Sequence, residues 1–103
     1  MDYNKLVRDK IPEIIADSGG KAITRVLEEK EYITSLEKKL DEEVAEYHES
    51  KEIEELADVL EVIYALCESQ GYSVDELMRV YEKKRAERGG FSKRIFLLGK
   101  ERP

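Results

Sequence analysis

Leu40-Asp41-Glu42-Glu43-Val44-Ala45-Glu46, followed a short interval later by Glu55-Leu56-Ala57-Asp58, is the stretch on which the reading of this chain turns. At about 3.6 residues per turn, Glu43 and Glu46 share one helix face, and so do Glu55 and Asp58. Working outward, Ile33, Leu36, Leu40 and Tyr47 recur at helical spacing, and Glu43 falls inside that apolar stripe. Downstream, Leu56, Ala57, Val59, Leu60, Val62, Ile63, Ala65 and Leu66 leave little polar surface, with Asp58 and Glu61 embedded among them. A break near Ser50 separates two helices and lets them fold back antiparallel, so that the two acidic pairs face each other.

A carboxylate in apolar surroundings costs several kcal/mol unless it is paired or bound to a metal. Carboxylates forced together also repel, which raises their proton affinity. A hard divalent cation such as Mg²⁺ relieves both effects, and oxygen ligands are what it prefers. The competing reading is a solvated acidic face paired with Lys38, Lys39 and Lys51, since a chain that is 41% charged produces such spacings readily.

The 103 residues suit one domain, 1–103, with a small core. No apolar run approaches a membrane span, and Met1-Asp2-Tyr3-Asn4-Lys5 lacks the apolar core of a signal peptide. Cys67 is the only cysteine, so no disulfide forms within the chain, and a cytoplasmic location is the expectation. Charge is uneven: residues 28–61 hold fourteen acids against four Lys, whereas residues 79–103 hold nine Lys or Arg against three acids. That polarity suits a metal complexed to polyphosphate, and equally suits salt bridges between helices. With a net charge of -6 and a short basic region, a nucleic-acid partner is not expected.

In chain order, Pro12 opens a short helix through Ile14 and Ile15 that Gly19-Gly20 ends. Residues 22–27 alternate loosely and carry β-branched side chains, as a short strand would. Glu29 to about Ser50 is helical, with Glu31, Lys38 and Lys39 outward, and Glu52 to about Gln70 forms the next helix, ended by Gly71. Ser73 and Glu76 make a capping box opening another helix, with Val74, Leu77, Met78 and Tyr81 inward and Gly89-Gly90 at its end. Phe91 and Ile95 to Leu98 read as a strand that pairs with residues 22–27. The expected fold is therefore mainly α, a helical bundle with a short two-stranded β element built from the N- and C-terminal parts. So much apolar helix in so short a chain calls for a homodimer or higher oligomer.

Lys84, Arg85 and Arg88 precede Gly89-Gly90-Phe91. Arg binds phosphate bidentately, and Gly-Gly lets backbone approach a ligand. Cations favourable to a helix C-terminus explain the same residues more simply. Arg8 is a similar case, solvated surface or a phosphate clamp.

Glu42-Glu43-x-x-Glu46 with Glu55-x-x-Asp58 resembles the EExxE…ExxD signature of the all-α nucleoside triphosphate pyrophosphohydrolases, the MazG superfamily. Lys5-Leu6-Val7-Arg8-Asp9-Lys10-Ile11-Pro12 and Arg88-Gly89-Gly90-Phe91 look like its small phosphoribosyl-ATP pyrophosphohydrolase-like branch. The resemblance spans nearly the whole chain. It implies a mostly helical, dimeric or higher assembly that binds Mg²⁺, with Mn²⁺ as a substitute, and splits a nucleoside triphosphate into monophosphate and pyrophosphate. Carried onto this sequence, Glu43, Glu46, Glu55 and Asp58 are the metal ligands and Glu42 an additional ligand or base. Lys84 and Arg88, with Arg8 behind them, meet the phosphates. Eight residues separate Glu46 from Glu55, fewer than is usual in the family, so the turn between the helices is expected to be tight.

The chemistry suits these residue types, because pyrophosphohydrolysis needs no covalent nucleophile and none is in view. The expected function is house-cleaning hydrolysis of noncanonical or surplus nucleotides. Hydrolysis of phosphoribosyl-ATP is the alternative within the enzyme class, and a non-catalytic helical regulatory or binding module is the alternative outside it.

Overall fold

The computed structural model describes residues 4–103. Residues 1–3, part of the segment read as lacking a signal-peptide core, lie outside the described residues. Four helices follow in order: α1 (Ile11–Asp17), α2 (Glu29–Ser50), α3 (Ile53–Ser69) and α4 (Val74–Arg88). The chain is mainly helical, and no described helix is long and apolar enough to cross a membrane.

Each boundary has a local cause. Pro12 sits in the first turn of α1, where its missing N–H costs nothing, and Gly19 at φ 91° carries the chain out of that helix. Lys51 caps α2 in the left-handed region at φ 59°, its N–H donating to the Tyr47 carbonyl at 2.8 Å, and α3 begins two residues later. That turn makes α2 and α3 a tight antiparallel hairpin. Ser73 caps α4 by accepting from the Glu76 N–H at 3.1 Å, while its hydroxyl lies 3.3 Å from Glu76 Oε1.

The packing is a row rather than a closed bundle. α3 lies in the middle, with α2 on one side and α4 on the other; α2 and α4 do not touch, and α1 packs on no other helix. Leu36 and Val62 are the only fully covered apolar side chains among the described residues, at the α2–α3 seam. Ile33, Leu40 and Tyr47 are half-buried beside Leu36, in line with the helical spacing. The α3 face bearing Ile53, Leu56, Leu60 and Ile63 is open to solvent in the single chain. On α4, Val74, Leu77 and Met78 are half-buried, but Tyr81 is 50% exposed instead of inward, since α3 is the one described helix that packs on α4.

The expected two-stranded β element does not form among the described residues. Residues 20–28 and 95–103 have no regular structure, and Phe91–Ser92–Lys93 make a bend and turn. Ile23 and Val26 are each 96% exposed, and Phe91 and Ile95 to Leu98 are nearly as bare. A two-stranded ribbon needs a helix or further strand on its apolar face, and no helix covers either segment. The radius of gyration is consequently 18.4 Å, against about 13 Å for a compact chain of this length.

Candidate metal centre

The hairpin brings acids from both of its helices to one place. Carboxylate oxygens of Glu43 (α2), Glu55 and Asp58 (both α3) lie within 4.8 Å of one another. The reason is local. Glu43 is on the α2 stripe that packs on α3, and the short turn sets the last turns of α2 beside the first turns of α3, where Glu55 and Asp58 sit one turn apart. Glu55 also belongs to the first turn of α3, where the helix dipole favours negative charge.

Among the described residues Glu43 is the one buried charged side chain, a carboxylate 7% exposed in the same seam as Leu36. Its Oε1 lies 3.4 Å from the Lys39 ammonium, one turn earlier on α2. Its Oε2 is buried with no hydrogen-bond partner, and so is Oε2 of Glu55. Burial, and secondly the charge of Glu46, push the Glu43 carboxyl above the usual carboxylate range, with Lys39 pulling the other way. Asp58, half-exposed, accepts from Arg8 Nη2 at 2.6 Å. Three carboxylates thus share two cations, and one oxygen each of Glu43 and Glu55 is left buried and unpaired. Two orphaned buried oxygens and an all-carboxylate donor set fit a hard divalent cation.

Of the residues singled out in the sequence, Glu43, Glu55 and Asp58 are brought together. Glu46 is exposed and outside that group of three, near enough to act on Glu43 through its charge. Glu42 is exposed and turned toward Lys39 at 3.8 Å. Arg8 is at the cluster, bound to Asp58. Lys84 and Arg88 are exposed on α4, which touches α3 but not α2, and neither bonds to a site acid among the described residues. Glu61, expected within the apolar face of α3, is exposed instead, while the next residue, Val62, is buried. Lys39 was expected to point outward, yet its side chain is only 21% exposed and pairs with both Glu42 and Glu43. Its i,i+4 spacing from Glu43 is the sequence signal for that pair.

No family model matches the chain, and no solved structure matches it. Over 42 residues it is 55% identical to an uncharacterised protein of Mycolicibacterium smegmatis, a stretch covering 41% of this chain and 43% of that relative. The match thus spans less than half the length of the relative, and the likeness carries no activity with it.

A concavity lies at the other end of α3, away from the acidic cluster. Ile63, Leu66, Cys67, Tyr72, Leu77 and Val80 line an apolar cleft of about 490 Å³ between α3 and α4. The Cys67 thiol there donates to the Ser73 carbonyl at 3.4 Å.

Proposed function

We propose that the chain is a MazG-like nucleoside triphosphate pyrophosphohydrolase that depends on Mg²⁺ or Mn²⁺ and releases monophosphate and pyrophosphate. The observation that carries this reading is the convergence of Glu43, Glu55 and Asp58 with two buried oxygens unpartnered. A fold leaves buried carboxylate oxygens unpaired at a cost of about 1–3 kcal/mol each, and a ligand they serve is the simplest reason to retain them.

In this reading Glu43, Glu55 and Asp58 hold the cation, with Glu46 reaching in from one turn further along α2 as the fourth ligand. A cation bound there would neutralise charge that develops on the leaving pyrophosphate. Glu42, exposed at the rim, is an additional ligand or the base that orients the attacking water. Lys84 and Arg88 meet the outer phosphates, which asks the nucleotide to extend across α3 toward α4. The two helices that carry the acids are stiff and tightly joined, so the ligand set is held ready before substrate arrives.

The reading includes a homodimer or higher oligomer in the cytoplasm. It is supported by the open apolar face of α3 and by the bare Phe91 and Ile95 to Leu98, surfaces that a second subunit would cover. Light scattering at micromolar concentration tests the assembly, and a stable monomer would refute it. The function is tested by a panel of canonical and noncanonical nucleoside triphosphates and phosphoribosyl-ATP with Mg²⁺, resolving monophosphate plus pyrophosphate from diphosphate plus phosphate. Turnover of none of them would leave a non-catalytic helical module, and a diphosphate product would remove the pyrophosphohydrolase assignment.

A further inference from the structure

We propose that Arg8 makes the acidic centre select a cation that arrives with phosphate over a cation that arrives alone; this rests on the metal-site reading above. Arg8 Nη2 donates to Asp58 Oδ1 at 2.6 Å across 50 residues of sequence. Among the described residues it is the one side-chain hydrogen bond joining the segment before α1 to the α2–α3 hairpin. Asp58 is at the same time one of the three converging carboxylates. Arg8 therefore takes one of the two Asp58 oxygens and sets a permanent positive charge beside the cluster.

The two cations at this site differ in what they are able to do. Lys39 is fixed one helical turn from Glu43 on the same helix, and its side chain is mostly covered. Arg8 lies outside any helix, and the Arg8 and Asp58 side chains are 55% and 39% exposed, so their contact is open to solvent. A free divalent ion must enter against the Arg8 charge and compete with it for Asp58. An ion carrying a di- or triphosphate brings anionic oxygens that suit the guanidinium fork at least as well as a carboxylate does. Arg8 would then exchange Asp58 for phosphate, freeing the Asp58 oxygen that it holds. Arg8 is thus a specificity-determining residue that couples cation binding to phosphate binding.

Calorimetric titrations of wild type, Arg8→Ala and Arg8→Gln test this with two probes. The first is Mn²⁺ alone; the second is Mn²⁺ with a nucleoside triphosphate whose α–β bridging oxygen is replaced by methylene. Both variants are expected to bind free Mn²⁺ about two- to fivefold more tightly than wild type, the range for losing a partly exposed ion pair. Both are expected to bind the Mn²⁺–analogue complex about tenfold more weakly, the loss of a charge-assisted phosphate contact. Free Mn²⁺ binding that is unchanged or weaker in the variants would overturn the inference, as would unchanged binding of the complex. Failure of wild type and variants alike to bind Mn²⁺ would instead overturn the metal site itself. Melting curves of the variants close to wild type, as expected for an exposed pair, exclude unfolding as the cause of either result.

Discussion

Glu43→Gln is expected to make the metal-free protein more stable and the metal-loaded protein less so. Glu43 is 7% exposed and its Oε2 has no partner. An unpaired buried polar group costs about 1–3 kcal/mol, and more when charged. The offset is the Lys39 ammonium at 3.4 Å, an i,i+4 pair of a kind that contributes about 0.3–0.5 kcal/mol. Gln has nearly the same shape, keeps an oxygen toward Lys39, and removes the charge and its repulsion with Glu46. Its amide is still desolvated, so the gain is the smaller part of that cost, about 1 kcal/mol, or about 4–8 °C in Tm for a chain of this size. The pH dependence has a definite sign. Because burial and Glu46 hold the Glu43 carboxyl above the ordinary range, the folded chain keeps a proton there that the unfolded chain has released. The wild-type contribution from Glu43 is thus full below the unfolded carboxylate pKa and is lost as pH rises through the raised folded value. The variant should therefore match wild type in acid and pull ahead toward neutral pH. Thermal unfolding in EDTA from about pH 4 to 8, repeated in saturating Mn²⁺, reads both effects. With Mn²⁺ at a hundredfold its Kd, wild type should gain about 2.7 kcal/mol and the variant much less, reversing their order. A variant that melts below wild type at neutral pH without metal, or gains as much from Mn²⁺, would refute the reasoning.

Asp58→Asn should weaken Mn²⁺ binding by at least about tenfold, whereas Asp41→Asn, outside the converging group, should leave it nearly intact; equal titrations for the two would separate Asp58 from the site. Arg88→Ala should lower kcat/KM about ten- to a hundredfold if Arg88 holds the outer phosphates, a loss of about 1.5–3 kcal/mol in the transition state. Its loss as a cation at the end of α4 should cost only about 0.3–1 kcal/mol of stability, so a large fall in Tm with kcat/KM preserved would make Arg88 a helix-dipole residue alone. Leu36→Ala should destabilise by about 2–5 kcal/mol in urea unfolding, because Leu36 is 2% exposed and has few buried neighbours to close the cavity. A cost below about 1 kcal/mol would mean that the α2–α3 seam is not the core of the subunit.

The helices were legible in the sequence because their causes are local. Pro12 with Gly19, and Ser73 with Glu76, act within a turn or two of themselves, and α1 and the start of α4 lie within a residue or two of where those signals put them. The placement of Glu43 on a buried face was legible too, since the apolar stripe through Leu36 repeats at the helical period on either side of it. What the tertiary structure decided was which groups met across elements. Periodicity is silent on partners 50 residues apart, so the bond from Arg8 to Asp58 had no sequence signal. It is equally silent on where α4 would lie, and hence on Lys84 and Arg88 being on a helix that touches only one of the two acidic helices. Residues 22–27 and 91–98 have the composition of strands, but a strand exists only when another strand and a covering layer are supplied. In the single chain they are not, because three helices in a row leave no second layer under which a ribbon could be buried.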